Sequence, residues 1–307
     1  MRYLVIILMF TSLPAATQSS VDYVQVYFNS LQQNKSPDPL VVEKIEQMDV
    51  TTLLKYVSPY FNNEISRIRL EAYLILHQRG VKSKKPKDKQ KIVSHLLRGW
   101  FDADTGINGF VASALSVYSK SDFTKSAKDD IMLLINKSPG YYHQLVKIAG
   151  FLEIEELTPV LQQKLTSTLK MTDRVRWATY LALSRMGDES ATQFVLNKVK
   201  SQRLNDEVVY NLFPDLVYTR QRLIIDYVVE QLYNDEANCN SSNPEKSKRI
   251  SCGYRIMEYL AGAIKDYPIV KDVSGELIVD NYEKALQDVR AWFKNVDGLY
   301  EVKNEHM

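Results

Sequence analysis

Four histidines are the first residues to weigh for chemistry: His77, His95, His143 and His306. None lies at the His-Glu-x-x-His spacing that puts two imidazoles on one helix face to grip zinc, so no metal site is expected. No Gly-x-Ser-x-Gly elbow, Walker loop or dinucleotide glycine pattern occurs, which leaves no candidate nucleophile or phosphate cradle. With 37 Asp and Glu, two carboxylates can meet through folding, but nothing in the sequence singles out a pair. The residues therefore point to a protein that is not an enzyme, with no catalytic residue and no cofactor.

Three local clusters remain. Asp102-Ala-Asp-Thr-Gly-Ile-Asn108 alternates side-chain oxygens before a glycine, as a calcium loop does, yet the twelfth position, where an EF-hand needs a bidentate acid, is Ser113. Asp104 reads better as a helix cap. Lys82, Lys84, Lys85, Lys87, Lys89 and Lys91 form the most basic run of the chain, read as a loop able to attract phosphate, anionic lipid or acidic polysaccharide and more simply as a solvated connector. It has no aromatic residue for base stacking. The two cysteines, Cys239 and Cys252, bracket a polar stretch that cannot build a core; in an exported chain they read as a disulfide stapling that insertion.

These clusters must be positioned by helices. Val175, Ala178, Thr179, Ala182, Leu183 and Met186 share one stripe, Gly187 ends that helix, Asp188 caps the next, and Ala191, Phe194, Val195 and Val199 continue the pattern. The same template begins at Ile68, Ile107, Tyr142 and Val209, giving a period of roughly 33 to 39 residues. The segment Asp173 to Val199 resembles a HEAT repeat, and the likeness extends over about Asn63 to Tyr233. The resemblance implies an all-α chain, a right-handed α-solenoid of about five to six HEAT-like hairpins with helical caps. It also implies scaffold roles for Asp173, Val175, Arg176, Gly187 and Asp188, with Arg176 tying one hairpin to its neighbour. Tyr267 to Val279 breaks the pattern and reads as a short β-hairpin near 268–279 or an extended loop.

When the second helices are aligned on their apolar pairs, one off-stripe position recurs and holds His95, Asp130, Gln163, Asn197 and Tyr227. In a paired-helix solenoid these five form a ladder along a concave face, the kind of surface that holds extended peptides or partner domains; they are equally the polar positions any solvated helix needs.

Arg2, the apolar run Tyr3 to Phe10 and the small residues before Gln18 have the form of a secretory signal peptide over residues 1–17. The expected organisation is then a helical cap over 18–62, HEAT-like repeats over 63–233, and over 234–307 the stapled insertion, an atypical last hairpin and a closing helix. No transmembrane span is expected after signal removal, and the chain is read as secreted or periplasmic. With 39 Lys and Arg against 37 acids, no charge excess favours nucleic acid. The function expected is a monomeric exported scaffold that binds a protein or peptide. The alternatives are a HEAT-like enzyme of the lyase or hydrolase class and a surface protein that binds anionic polymer.

Overall fold

A computed structural model describes residues 20–167, 171–241, 248–272 and 275–307 of the chain. The signal segment expected at 1–17 lies outside them. Among the described residues the chain is mostly helical, with fifteen α-helices and one two-stranded antiparallel sheet. It divides between Arg79 and Gly80 into two compact units, and the division lies within the helix that carries Ile68.

The first unit contains α1 (Ser20–Gln32), α2 (Pro39–Gln47), α3 (Val50–Val57), a 3-10 turn over Ser58–Asn62, and most of α4 (Ser66–Lys82). Asp38 and Asp49 accept backbone N–H groups at the starts of α2 and α3, and Pro39 fits the first helical position, where no N–H bond is lost. Val24, Phe28, Leu53, Val57, Ile68, Ala72 and Leu76 form the buried core. Phe28 stacks on Tyr60 at 3.7 Å, and α4 is fastened by the Tyr27 hydroxyl on Glu71 and by Arg79 Nε on the Met48 carbonyl.

The second unit continues with α5 (Pro86–Arg98), α6 (Thr105–Leu115), α7 (Lys125–Lys137), α8 (Tyr142–Phe151), α9 (Thr158–Thr166), α10 (Asp173–Arg185), α11 (Glu189–Lys200), α12 (Asp206–Thr219) and α13 (Arg222–Gln231). After the sheet of β1 (Cys239–Asn240) and β2 (Arg249–Ile250) come α14 (Gly253–Ala261) and α15 (Tyr282–Val296). Alternate helices pack on one another, α6 on α8, α8 on α10, α10 on α12 and α12 on α14. The tightest of these crossings is at Gly150, where a Cβ would stand 2.6 Å from the Ala182 Cα, so only glycine lets the two backbones approach.

The sheet spans the disulfide. Cys239 pairs with Ile250 across it, and Cys239 and Cys252 are bonded, which closes the polar insertion as its composition predicts. Among the described residues near 268–279 the backbone makes one antiparallel bridge, Lys271 with Leu277, and the two-stranded sheet stands earlier in the chain than the expected hairpin.

A further element escapes any periodicity. After α15, residues 298–306 run back across the ends of several helices. Arg222 donates to the Gly298 and Tyr300 carbonyls, Val302 bridges Ile264, Lys303 N donates to the Ala263 carbonyl, and Lys120 N donates to the Glu305 carbonyl. His306, near the end of the chain, is held in the same way, because its carbonyl accepts from Arg185 at 3.1 Å and from Arg220 at 3.4 Å. Polar side chains and unpaired helix-end carbonyls leave a strand-like segment somewhere to bond, which apolar periodicity does not reveal.

Arg185 is the hub of this lacing. It is only 3 % exposed, its guanidinium lies 5.0 Å from both the Phe151 and Tyr218 rings, and it donates to the Tyr218 carbonyl at 2.6 Å and Asn304 Oδ1 at 2.9 Å. Tyr218 is in the last turn of α12, whose carbonyls have no partners within the helix, so Arg185 of α10 serves as its C-terminal cap.

Candidate functional site

The five residues of the expected ladder stand on α5, α7, α9, α11 and α13. Gln163 and Asn197 are exposed; His95, Asp130 and Tyr227 are half-buried. His95 Nδ1 lies 2.9 Å from its own helix's Lys91 carbonyl, and burial together with Arg98 holds its pKa below the ordinary value. Asn197 accepts from Gln193 one turn earlier, and Tyr227 has the Lys200 ammonium over its ring at 5.6 Å. These partners are not other members of the row.

The lysine run is mostly helical. Lys82 ends α4, Ser83 to Lys85 is the connector, and Pro86 opens α5, which carries Lys87, Lys89 and Lys91 in its first turns. Lys89 is half-buried and the other five are exposed. The run is helical from Pro86 onward, and not a loop throughout, because Pro86 at N1 and Asp88 in the first turn both favour a helix start there.

In the calcium-like stretch Asp104 caps α6 by accepting from Gly106 N at 2.7 Å. The buried Asn108 amide donates to the Gly99 and Asp102 carbonyls, which ties the loop together. Among the described residues no group of three or more His, Cys, Asp or Glu is placed to hold a metal ion.

Of the repeat-signature residues, Gly187 takes φ +90°, a conformation that glycine adopts without strain, and Asp188 caps α11 through Ala191 N while accepting from Gln162 Nε2 on α9. Thr172 is the cap of α10, with Asp173 in its first turn. Val175 is half-buried and Arg176 is exposed, whereas the buried arginine bonded to α12 is Arg185.

The cleft that sequence reasoning missed has a volume of about 710 Å³, in the range of small-ligand and side-chain pockets. One wall is Asp206 and Tyr210 of α12, and the floor is Tyr254, Arg255 and Glu258 of α14. The opposite wall is Glu276 with Tyr282 and Glu283 at the start of α15, and the stapled sheet closes one end with Asn240 and Ile250. Asp206 fixes that end by accepting from Asn240 N at 2.8 Å.

The floor is a linked network. Arg255 Nη1 pairs with Glu258 Oε2 at 2.7 Å one helical turn on, the other Arg255 nitrogen donates to the Tyr210 hydroxyl, and Tyr282 lies beside Glu258. The Arg255 guanidinium also lies over the Tyr210 ring at 4.6 Å. Burial opposes its charge, but Glu258 and Tyr210 outweigh that and hold its pKa above the ordinary value. Burial first, then Glu258, push the Tyr282 hydroxyl upward, so it stays neutral at physiological pH.

No protein-family model, curated protein or solved structure matches the chain. What the cleft can do therefore rests on its own chemistry: aromatic faces, carboxylates and an arginine paired with one of them. The signal that would have found it is the Tyr254-Arg255-x-x-Glu258 run, whose i, i+3 ion pair sits beside an aromatic residue on a short helix.

Proposed function

We propose that this protein is an exported, non-enzymatic scaffold of HEAT-like hairpins in a right-handed α-solenoid, and that it holds an extended segment of a partner protein in the cleft between α12, α14 and α15. The observation that carries this is the Tyr210–Arg255–Glu258 network, with Tyr282 beside Glu258, which orders the lining of the cleft before any ligand arrives and so lowers the ordering cost of binding. The succession of alternate helices packed one on the next supports the repeat reading. The disulfide supports an oxidising compartment, secreted or periplasmic, and no helix among the described residues is long and apolar enough to cross a membrane.

The test is a comparison of two alanine sets in capture of the partner from the source envelope and medium. Tyr210→Ala with Tyr282→Ala is expected to abolish capture, and His95→Ala, Asn197→Ala and Tyr227→Ala together are expected to leave it intact. The reverse pattern moves the site to the ladder.

A further inference from the structure

We infer that the occupant of the cleft is a cationic side chain, a lysine or arginine presented by an extended basic segment of the partner. This rests on the reading of the cleft as the partner site and adds the chemistry it selects.

Charge comes first. Among the described residues the lining carries four carboxylates, Asp206, Glu258, Glu276 and Glu283, against one arginine. Arg255 is spent on Glu258 at 2.7 Å, and Lys271, beyond the lining, also faces Glu258. The negative surplus therefore concentrates on Asp206 and on the rim pair Glu276 and Glu283, both exposed. A cleft with low-dielectric walls focuses such a surplus toward its mouth.

Aromatic faces come second. Tyr210 is 51 % and Tyr282 40 % exposed, so ring surface on both walls is open to a ligand. A cation above such a face is attracted by the ring quadrupole, by about 0.5–1 kcal/mol at exposed sites and 2 or more when desolvated. The protein already uses this contact on itself, with Arg255 over Tyr210 at 4.6 Å. Carboxylates at the rim with tyrosines inside them form a graded path: attraction at the mouth, stacking within.

The experiment uses the whole mature chain with its disulfide intact. Binding is measured by calorimetry for a hexapeptide of alternating lysine and arginine, for the same peptide with acetyl-lysine and citrulline in their place, and for a neutral β-linked glucan hexasaccharide. The basic peptide is expected to bind at least about tenfold more tightly than its neutral counterpart, from two rim charges and one or two ring contacts. Glu276→Gln with Glu283→Gln is expected to lower that affinity about tenfold with an unchanged circular dichroism spectrum, since both residues are exposed. Tyr282→Phe is expected to retain binding and Tyr282→Ala to lose it, because the face and not the hydroxyl is what the cation meets.

Equal affinity for the neutral peptide, no binding of the basic one, or binding of the hexasaccharide alone overturns the assignment. Should the tyrosine variants lose the natural partner while the basic peptide fails to bind, the cleft remains the partner site and only its cation preference falls. If the basic peptide binds and the rim variants do not weaken it, the cation site lies elsewhere.

Discussion

Arg185→Met removes a guanidinium that the structure buries almost completely, while keeping much of the apolar bulk between Phe151 and Tyr218. The Tyr218 carbonyl loses its 2.6 Å donor, and Asn304 Oδ1 and the His306 carbonyl lose theirs at 2.9 and 3.1 Å. A buried acceptor left without a donor costs about 1–3 kcal/mol, and the flat cation between two rings adds about 0.5–2. Relief of the desolvation that pushes the Arg185 pKa down offsets part of this, so the net loss expected is about 2–4 kcal/mol. Arg185→Lys keeps a charge but not the fork, and is expected to fall between. Urea unfolding of the single variants and of Arg185→Met with Asn304→Ala gives a double-mutant cycle, for which a coupling of about 1–2 kcal/mol is expected. Additivity within about 0.3 kcal/mol, or a single-variant loss below about 0.5 kcal/mol, refutes the claim that residues 298–306 are fastened to α10 and α12 through this residue.

Three further outcomes follow from the same geometry. Gly150→Ala is expected to destabilise by about 1–3 kcal/mol, since its Cβ meets the Ala182 backbone at 2.6 Å, whereas Gly187→Ala, with nothing within 4 Å, incurs only the strain of φ +90°, about 1 kcal/mol; parallel urea titrations rank the two. Cys239→Ser with Cys252→Ser is expected to cost about 3 kcal/mol at most and to weaken cleft binding more than it loosens the helices, read by calorimetry beside thermal melts. Burial holds His77, His95 and His143 below their ordinary 6.5, so the unfolded chain binds more protons than the folded one as pH falls through that value. Their contribution to stability is full above 6.5, declines below it and levels off under the folded-state values; replacing all three with glutamine is expected to flatten that decline in urea midpoints taken across the acid range, and an unchanged slope contradicts it.

The helices were legible because each buries a stripe that repeats along a short window. Ile92, Val93, Leu96 and Leu97 of α5, or Ala178, Leu181 and Ala182 of α10, declare their buried face without help from the rest of the chain. Capping chemistry was legible too, as at Asp188 and Gly187. The cleft was not, because Tyr210, Arg255, Glu276 and Tyr282 lie on four separate segments and each by itself has the look of an ordinary half-exposed residue. Arg185 carries no mark either, since a basic residue in the last turn of a helix is expected to face solvent beside the dipole and not to be buried. Residues 298–306 were hidden for the opposite reason: they are held by hydrogen bonds of backbone and polar side chains, and those leave no apolar period.

The most direct test of the cleft as the partner site is photo-crosslinking in the source envelope and medium. A benzoyl-bearing phenylalanine analogue is placed at Tyr254 on the cleft floor in one variant and at Asn197 on the ladder in another. The account predicts one discrete adduct from the first, lost when Tyr210→Ala is added, and none from the second. An adduct from the Asn197 position, with none from Tyr254, contradicts it.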